Sequence, residues 1–373
     1  MTQKVRLAFV GCGSCLRISF GPVLPYVEGL EVVTGVDPSD EALAHAQSVY
    51  GFKAGYHTLE ECLKNESVDA VLIATPVYEH RDLAVFCAEK GIHVLLEKPM
   101  ARTLTECDEI IAAHEQAGTV LMMAFMKRFN RTMLRVEALM KEGAIGKVMG
   151  IRHNWDWGGN EDAVFGKAWR GFLQTWGGQW QDHGSHSVDL AHWWAGPIQS
   201  VQATFEITDP TYSVETDYNV ICTHVSGARS VHMSTKFFHQ EGEERYQIFG
   251  ETGTVDLKHS SGVWQYTTPY EAFIHRWGRI RESIKPPFSQ NWLEEGKQFG
   301  QYKVELDHFV ECVRENKRPR TDGQSGRSVM EVICAAYLSA LEHREVSLPL
   351  TSAFDLEAFF KGMDRHIPPR YQS

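Results

Sequence analysis

The sequence predicts an α/β chain of two domains: an N-terminal doubly wound parallel sheet over residues 1–125, then an α+β domain over 126–373. The second is expected to be built on a largely antiparallel open sheet and closed by C-terminal helices. Three observations carry this. The first 125 residues alternate near-continuous apolar runs with segments of helical period. Beyond them, the runs change to alternating apolar and polar positions. At 373 residues and 43% hydrophobic content, the chain exceeds one ordinary core and is rich enough to fill two.

The elements follow in order. VRLAFVG (5–11), LEVVTGVD (30–37), AVLIAT (70–75), HVLLEK (93–98) and VLMMAF (120–125) read as parallel strands buried on both faces. Between them, DEALAHAQSVYG, EHRDLAVFCAEKG and TLTECDEIIAAHEQAG carry apolar residues at helical spacing, and Gly51, Gly91 and Gly118 sit where those helices stop. Strand and helix in alternation imply crossover connections and a doubly wound sheet. After Phe125, NRTMLRVEALMKEGAIG reads as a helix that ends in glycines. KVMGIRHNWDW, IQSVQATFEI, YNVICTHVSG, ARSVHMSTKFF and YQIFGETGTVDL then read as strands with one covered face. VELDHFVECVRENK and SGRSVMEVICAAYLSALEHRE read as two late helices. There is no internal repeat and no low-complexity tail.

A formal net charge of -11 argues against nucleic acid or an anionic membrane as partner, since either needs a basic face, and points to a small molecule. The eight cysteines lack paired spacing apart from Cys12 and Cys15, whose C-x-x-C lies inside a glycine-rich turn with no second pair. Reduced thiols in a cytoplasmic protein are expected. The apolar run of the N-terminus is too short for a signal peptide, and no window approaches the length of a membrane span.

The first strand runs into GCGSC (11–15) with a helix to follow. Gly11 and Gly13 let the backbone approach a pyrophosphate, and Ser14 and Cys15 open the helix whose N-terminal amides would face it. Leu16 stands where the dinucleotide fingerprint has its third glycine. Asp37 closes the second strand, where a carboxylate accepts hydrogen bonds from an adenosine ribose. No Arg or Lys follows closely to welcome a 2'-phosphate, so NAD is favoured over NADP. Asp37 is otherwise explained as a helix cap, a role open also to Ser39 or Asp40. Thr75 and Pro76 end the third predicted strand at the sheet edge where ligands bind in open α/β folds. Together these describe a dinucleotide-binding Rossmann domain.

Lys98 ends the fourth predicted strand directly before a proline; partial desolvation there would lower its pKa and ease proton exchange. Glu97-Lys98-Pro99, after a glycine-rich first turn, an acidic second-strand end and a TP turn with His80 downstream, resembles the Gfo/Idh/MocA family of NAD(P)-dependent sugar and polyol oxidoreductases. So does GGQWQDHGSH, where Gly177 and Gly178 precede the D-x-x-x-H of Asp182 and His186, and so do the late helix and REVSLPL. The resemblance extends over nearly the whole chain. It implies that Lys98 holds the reacting hydroxyl, that His186 acts with it as acid or base, and that Asp182 is the acidic companion. Spacing agrees, because residues four apart share a helix face. His80 and Glu97 fall with Thr75 and Pro76 on the cofactor side. The expected reaction is hydride transfer from a CH–OH carbon to nicotinamide, with Lys98 or His186 taking the hydroxyl proton.

Seven of the ten tryptophans lie between 155 and 194, interleaved with Arg152, Asn154, Asp156, Asn160 and Arg170. Apolar faces among hydrogen-bonding groups suit a pyranose, and Trp155, Trp157, Arg170, Trp180 and His183 are assigned to a carbohydrate substrate. Arg128, beside Lys127, would serve an anionic sugar, although surface basicity explains both. His183, His186, Asp189 and His192 have spacings a metal site would use, but no cysteine or glutamate completes one and no metal is expected. Two other activities fit the same residues: an NAD-retaining glycoside hydrolase working by transient oxidation and elimination, and a non-catalytic sugar or NAD sensor. The open sheet of such a second domain suggests a homo-oligomer.

Overall fold

The computed structural model describes residues 4–156, 177–208, 212–235, 243–259, 270–276, 279–284, 298, 300–351 and 354. They fall into two compact units. The first holds the described residues up to Asn130 together with 298 and 300–327, and the second holds the others. Among the described residues the α-helices are α1 (Asp40–Tyr50), α2 (Leu59–Asn65), α3 (Val77–Glu89), α4 (Leu104–Ala117), α5 (Arg131–Lys141), α6 (Ser185–Ala195), α7 (Gln301–Glu315) and α8 (Gly323–Glu342).

In the first unit β1 (Val5–Val10), β2 (Leu30–Val36), β3 (Ala54–Tyr56), β4 (Ala70–Ile73), β5 (His93–Leu96) and β6 (Leu121–Met123) form one parallel sheet in the order β3-β2-β1-β4-β5-β6. The strand order reverses between β1 and β4, where Leu7 lies opposite Ala70, and that reversal opens a crevice beyond the carboxyl ends of the two strands. The helices begin where side chains satisfy orphan amides. Ser39 accepts from Ala42, Thr58 accepts from Glu61, and Thr103 and Glu106 form a reciprocal capping box. α1 and α4 stop at Gly51 and Gly118, both left-handed, as expected from sequence.

Three features differ from the sequence expectation. β3 and α2 are too short to raise a periodic signal. The segment after the first glycine turn is helical but irregular, with a π turn over Leu16–Phe20 and a 3-10 stretch over Gly21–Tyr26. Pro22 and Pro25 remove the amide donors a regular α-helix needs. Leu16 does not hold helix and strand apart: it is buried in one core with Phe9 and Phe20. The third is α7, expected in the second domain, which packs Leu306, Phe309, Val310 and Cys312 into the core of the first unit.

The second unit is a sheet ordered β14-β13-β12-β11-β7-β10-β9-β8-β15 among the described residues. Its strands are β7 (Val148–Asp156), β8 (Ile198–Glu206), β9 (Asp217–His224), β10 (Arg229–Thr235), β11 (Glu243–Gly250), β12 (Thr254–His259), β13 (Tyr270–Arg276), β14 (Arg279–Ile284) and β15 (Val346–Ser347). All neighbours are antiparallel except β7 and β10. Alternation is visible along β9, where Tyr218, Val220 and Cys222 are buried while Asn219 and Ile221 are exposed. α5 covers the inner face with Met133, Val136 and Leu139, α6 with Leu190, Ala191 and Trp194, against Ile151, Tyr246, Ile248 and Leu257. Each such side chain contributes about 1.5–3 kcal/mol on burial. Trp157, Arg170, Trp169, Trp176 and Asn160 lie outside the described residues.

Candidate active site

β1 delivers Gly11 to the switch point with φ of +93°, and a Cβ there would lie 2.5 Å from the carbonyl oxygen of Ala74. Only glycine fits both the backbone angle and the space. A Cβ on Gly13 would meet no described atom within 4 Å, so the turn is closed on the sheet side and open on the other. Asp37 Oδ2 accepts the Cys12 amide at 2.8 Å and Oδ1 accepts the Ser39 amide at 2.9 Å. Ser39 caps α1, so the half-buried Asp37 carboxylate braces the glycine turn instead of serving as the cap. A tight glycine turn with no room for a Cβ at Gly11, with a carboxylate at the end of β2, fits a dinucleotide that lacks a 2'-phosphate.

The two cysteines of the turn are not a redox pair. Cys12 is fully buried; burial, reinforced by the Asp37 charge, pushes its thiol up to about 12. Cys15 donates through Sγ to Glu97 Oε1 at 3.4 Å, and no disulfide joins any of the eight cysteines. Glu97 Oε2 accepts the Lys98 amide at 3.0 Å, so one carboxylate ties the start of the first helical turn to the end of β5. Lys98 is half-buried, and the Lys98–Pro99 peptide is cis.

His80, expected beside the cofactor, is 1% exposed on the first turn of α3. Nδ1 lies 3.0 Å from the Pro99 carbonyl and Nε2 3.0 Å from the Thr75 carbonyl. It therefore ties the TP loop to the EKP loop through its two ring nitrogens, with its ring closed off from solvent. Burial pushes its pKa down, while the Thr75, Pro99 and Met100 backbone pulls it back. On the 3-10 turn after β6, Lys127 is buried and Arg128 half-buried; solvated surface basicity does not describe Lys127.

In the second unit, Gly177 and Gly178 lead into a π-helical turn, Trp180–Gly184, which continues into α6. The α-helical spacing expected for Asp182 and His186 thus begins in a wider ladder, a form common at functional sites. The Asp182 amide donates to the Gly178 carbonyl at 2.9 Å. Asp182 Oδ2 lies 3.6 Å from His183 Nε2, whose ring continues through Nδ1 to Gln179 Oε1 at 2.9 Å. The Trp155 ring, from β7, stacks on His183 at 4.1 Å and 17°. Asp182, His183 and His186 retain only 5–7% exposure. This is a compact polar cluster against an aromatic face, suited to orienting a hydroxyl and moving its proton in little water.

Trp180 takes no place on a sugar face. Its side chain is completely buried among Phe205, Tyr218 and His232, and packs so closely over Gly184 that a Cβ there would fall 2.2 Å from its ring. Glu215 is a buried carboxyl that spacing did not single out. It accepts the Trp180 amide, and in sequence it is one more acidic residue in the polar run SVETD, with nothing to mark it.

The family profile described as oxidoreductase family, NAD-binding Rossmann fold, matches residues 5–125, and the GFO/IDH/MocA C-terminal domain matches residues 133–256. The chain is similar to D-apiose dehydrogenase of Paraburkholderia graminis, 26% identical over 359 residues covering 93% of this chain and 90% of that one. It is similar also to scyllo-inositol 2-dehydrogenase (NAD(+)) of Bacillus subtilis, 25% identical over 362 residues covering 95% and 99%. Among solved structures, the WlbA dehydrogenase from Bordetella pertussis in complex with NADH and UDP-GlcNAcA aligns with a TM-score of 0.77 and 26% identity, over 94% of this chain and 99% of that chain.

Proposed function

We propose that this chain, which belongs to the Gfo/Idh/MocA family of oxidoreductases, uses NAD to oxidise a CH–OH carbon of a sugar, glycoside or polyol, with Lys98 and His186 handling the hydroxyl proton. The reading rests on the switch-point turn, in which Gly11 is pressed against Ala74 and Asp37 holds the Cys12 amide. The curated relatives named as D-apiose and scyllo-inositol dehydrogenases support the substrate class.

When bound, NAD supplies the hydride acceptor. Gly13, Ser14 and Cys15 would offer backbone amides to the pyrophosphate, while Gly11, whose own amide is held by the Val36 carbonyl at 2.8 Å, lets the turn lie close to it; Asp37 would accept from ribose hydroxyls, and Thr75 and Pro76 would line the same site. Lys98 holds the reacting hydroxyl, with Glu97 fixing its backbone through the 3.0 Å bond to its amide. His186 receives the proton, and the Asp182 carboxylate, 3.6 Å from His183, sets the local negative field. The Trp155 ring, 4% exposed, backs His183 and fixes that imidazole for a sugar hydroxyl, and Arg128 answers an anionic substituent. A homo-oligomer through the outward face of the second sheet completes the reading: Ile221 and Met233 are each 41% exposed there.

The test is a panel of D-apiose, D-xylose, scyllo-inositol, myo-inositol, levoglucosan and an O-glycoside, each with NAD and NADP, followed by nicotinamide absorbance and product analysis. NADH formation with at least one sugar or polyol is expected. NAD binding without oxidation of any would overturn the dehydrogenase reading, and glycoside cleavage without net NADH would replace it with oxidation and elimination.

A further inference from the structure

Behind the Gly177–Gly178 turn lies a carboxyl for which hydride transfer has no direct use. Glu215, just before β9, is fully buried. Its Oε1 accepts both the Trp180 amide and the Tyr337 hydroxyl of α8, each at 2.7 Å. Gly178, with φ of +139°, makes the room: a Cβ there would lie 2.9 Å from Glu215 Oε1 and 3.0 Å from the Tyr337 hydroxyl. An interior carboxyl is costly to keep where an apolar side chain would fill the same volume. Burial pushes its pKa up to about 7, against the pull of the Tyr337 hydroxyl and the Trp180 amide. The amide it holds opens the π turn, and the residues that follow are Asp182, His183 and His186. A carboxyl there also faces the positive end of the helix.

We propose that Glu215 is a positioning residue: by pinning the Trp180 amide it sets the π-helical register from which Asp182 and His186 are presented. The inference rests on reading those two as the proton-handling pair. Gly178, Glu215 and Tyr337 then act as one device, built from three distant stretches of the chain.

Glu215→Ala leaves the amide and the hydroxyl without their acceptor, whereas Glu215→Gln keeps Oε1. In the full-length protein with NAD bound, backbone amides of 178–186 should exchange with solvent about tenfold faster in E215A and return to within roughly threefold in E215Q. With the panel compound that wild type oxidises fastest, kcat should fall about tenfold or more in E215A at unchanged KM for NAD, and E215Q should restore most of it. Wild-type exchange and kcat in E215A, or an E215Q as impaired as E215A, overturns the assignment. If E215A does not fold, Tyr337→Phe decides, since it withdraws one donor and keeps the ring: faster exchange confined to 178–186 supports the device, and wild-type exchange rejects it. His186→Ala separates the two claims. Turnover retained there defeats the site reading, while turnover lost there with wild-type behaviour in E215A defeats only the role of Glu215.

Discussion

Replacing Lys98 with Met or His186 with Ala takes away a group proposed to handle the proton without touching the glycine turn, so the two effects of binding and chemistry should separate. Each variant is expected to lose at least about a hundredfold in kcat, with NAD affinity by calorimetry near the wild-type value; activity retained in both sinks the assignment. Gly11→Ala is the converse. Its Cβ would fall 2.5 Å from a backbone oxygen at a φ of +93°, a strain on the order of 1–3 kcal/mol, and it should weaken NAD binding roughly tenfold or more. Unchanged NAD affinity in a folded G11A would reject the close-approach account. Residue type and position drew attention to Gly11 and Asp37, because a glycine turn and a strand-end carboxylate at a sheet edge are local signals, whereas Lys98 stood out only through the family resemblance of its EKP segment. The sequence misplaced Trp180 and His80, since an aromatic ring serves a core or a ligand equally well, and only packing shows that Phe205, Tyr218 and His232 enclose the one and two loop carbonyls hold the other.

Helices and strands were readable where periodicity runs long enough to register. α1, α3 and α4 announced themselves by apolar spacing and terminal glycines, and the buried strands β1, β2, β4 and β5 by continuous apolar runs. The first crossover and the turn at Trp180 were not, because a π or 3-10 turn differs from an α-helix by its hydrogen-bond ladder and not by composition. Gly184 is the local test of that turn. Its Cβ would lie 2.2 Å from the Trp180 ring, so Gly184→Ala forces the ring to move in a packed core at a cost of about 1–3 kcal/mol. Urea denaturation should show that loss, and a stability equal to wild type would mean the ring has another resting place. The same variant should lose turnover, because the displaced ring carries the segment of Asp182 and His186 with it.

At the scale of the molecule, burial leaves an imprint on pH dependence. Six histidines among the described residues, His80, His93, His114, His224, His232 and His308, have pKa values pushed down by burial, His114 to about 4. A histidine whose folded pKa lies below its unfolded value contributes fully above the unfolded value, about 6.5, and that contribution is lost as pH falls toward the folded value. Glu215, raised to about 7, and Glu79, also raised by burial, act in the opposite sense: they add stability as pH falls toward the ordinary carboxyl value. Six against two gives net acid lability, so the melting temperature should fall between neutral pH and about pH 5; a flat or rising profile contradicts this. The outward sheet face carries its own test: Ile221→Asp with Met233→Asp should shift sedimentation toward the monomer, and an unchanged profile would place any assembly elsewhere. By itself the sequence determined the two-part α/β plan and the nucleotide turn, because periodicity and glycine are local signals, while the family resemblance supplied Lys98, Asp182 and His186 as candidates for proton handling. The tertiary structure alone decided that α7 packs with the first unit, that His80 and Trp180 are structural, and that Glu215 and Tyr337 meet behind Gly178. Those outcomes depend on which side chains from distant stretches compete for the same buried space, and no local pattern records that competition.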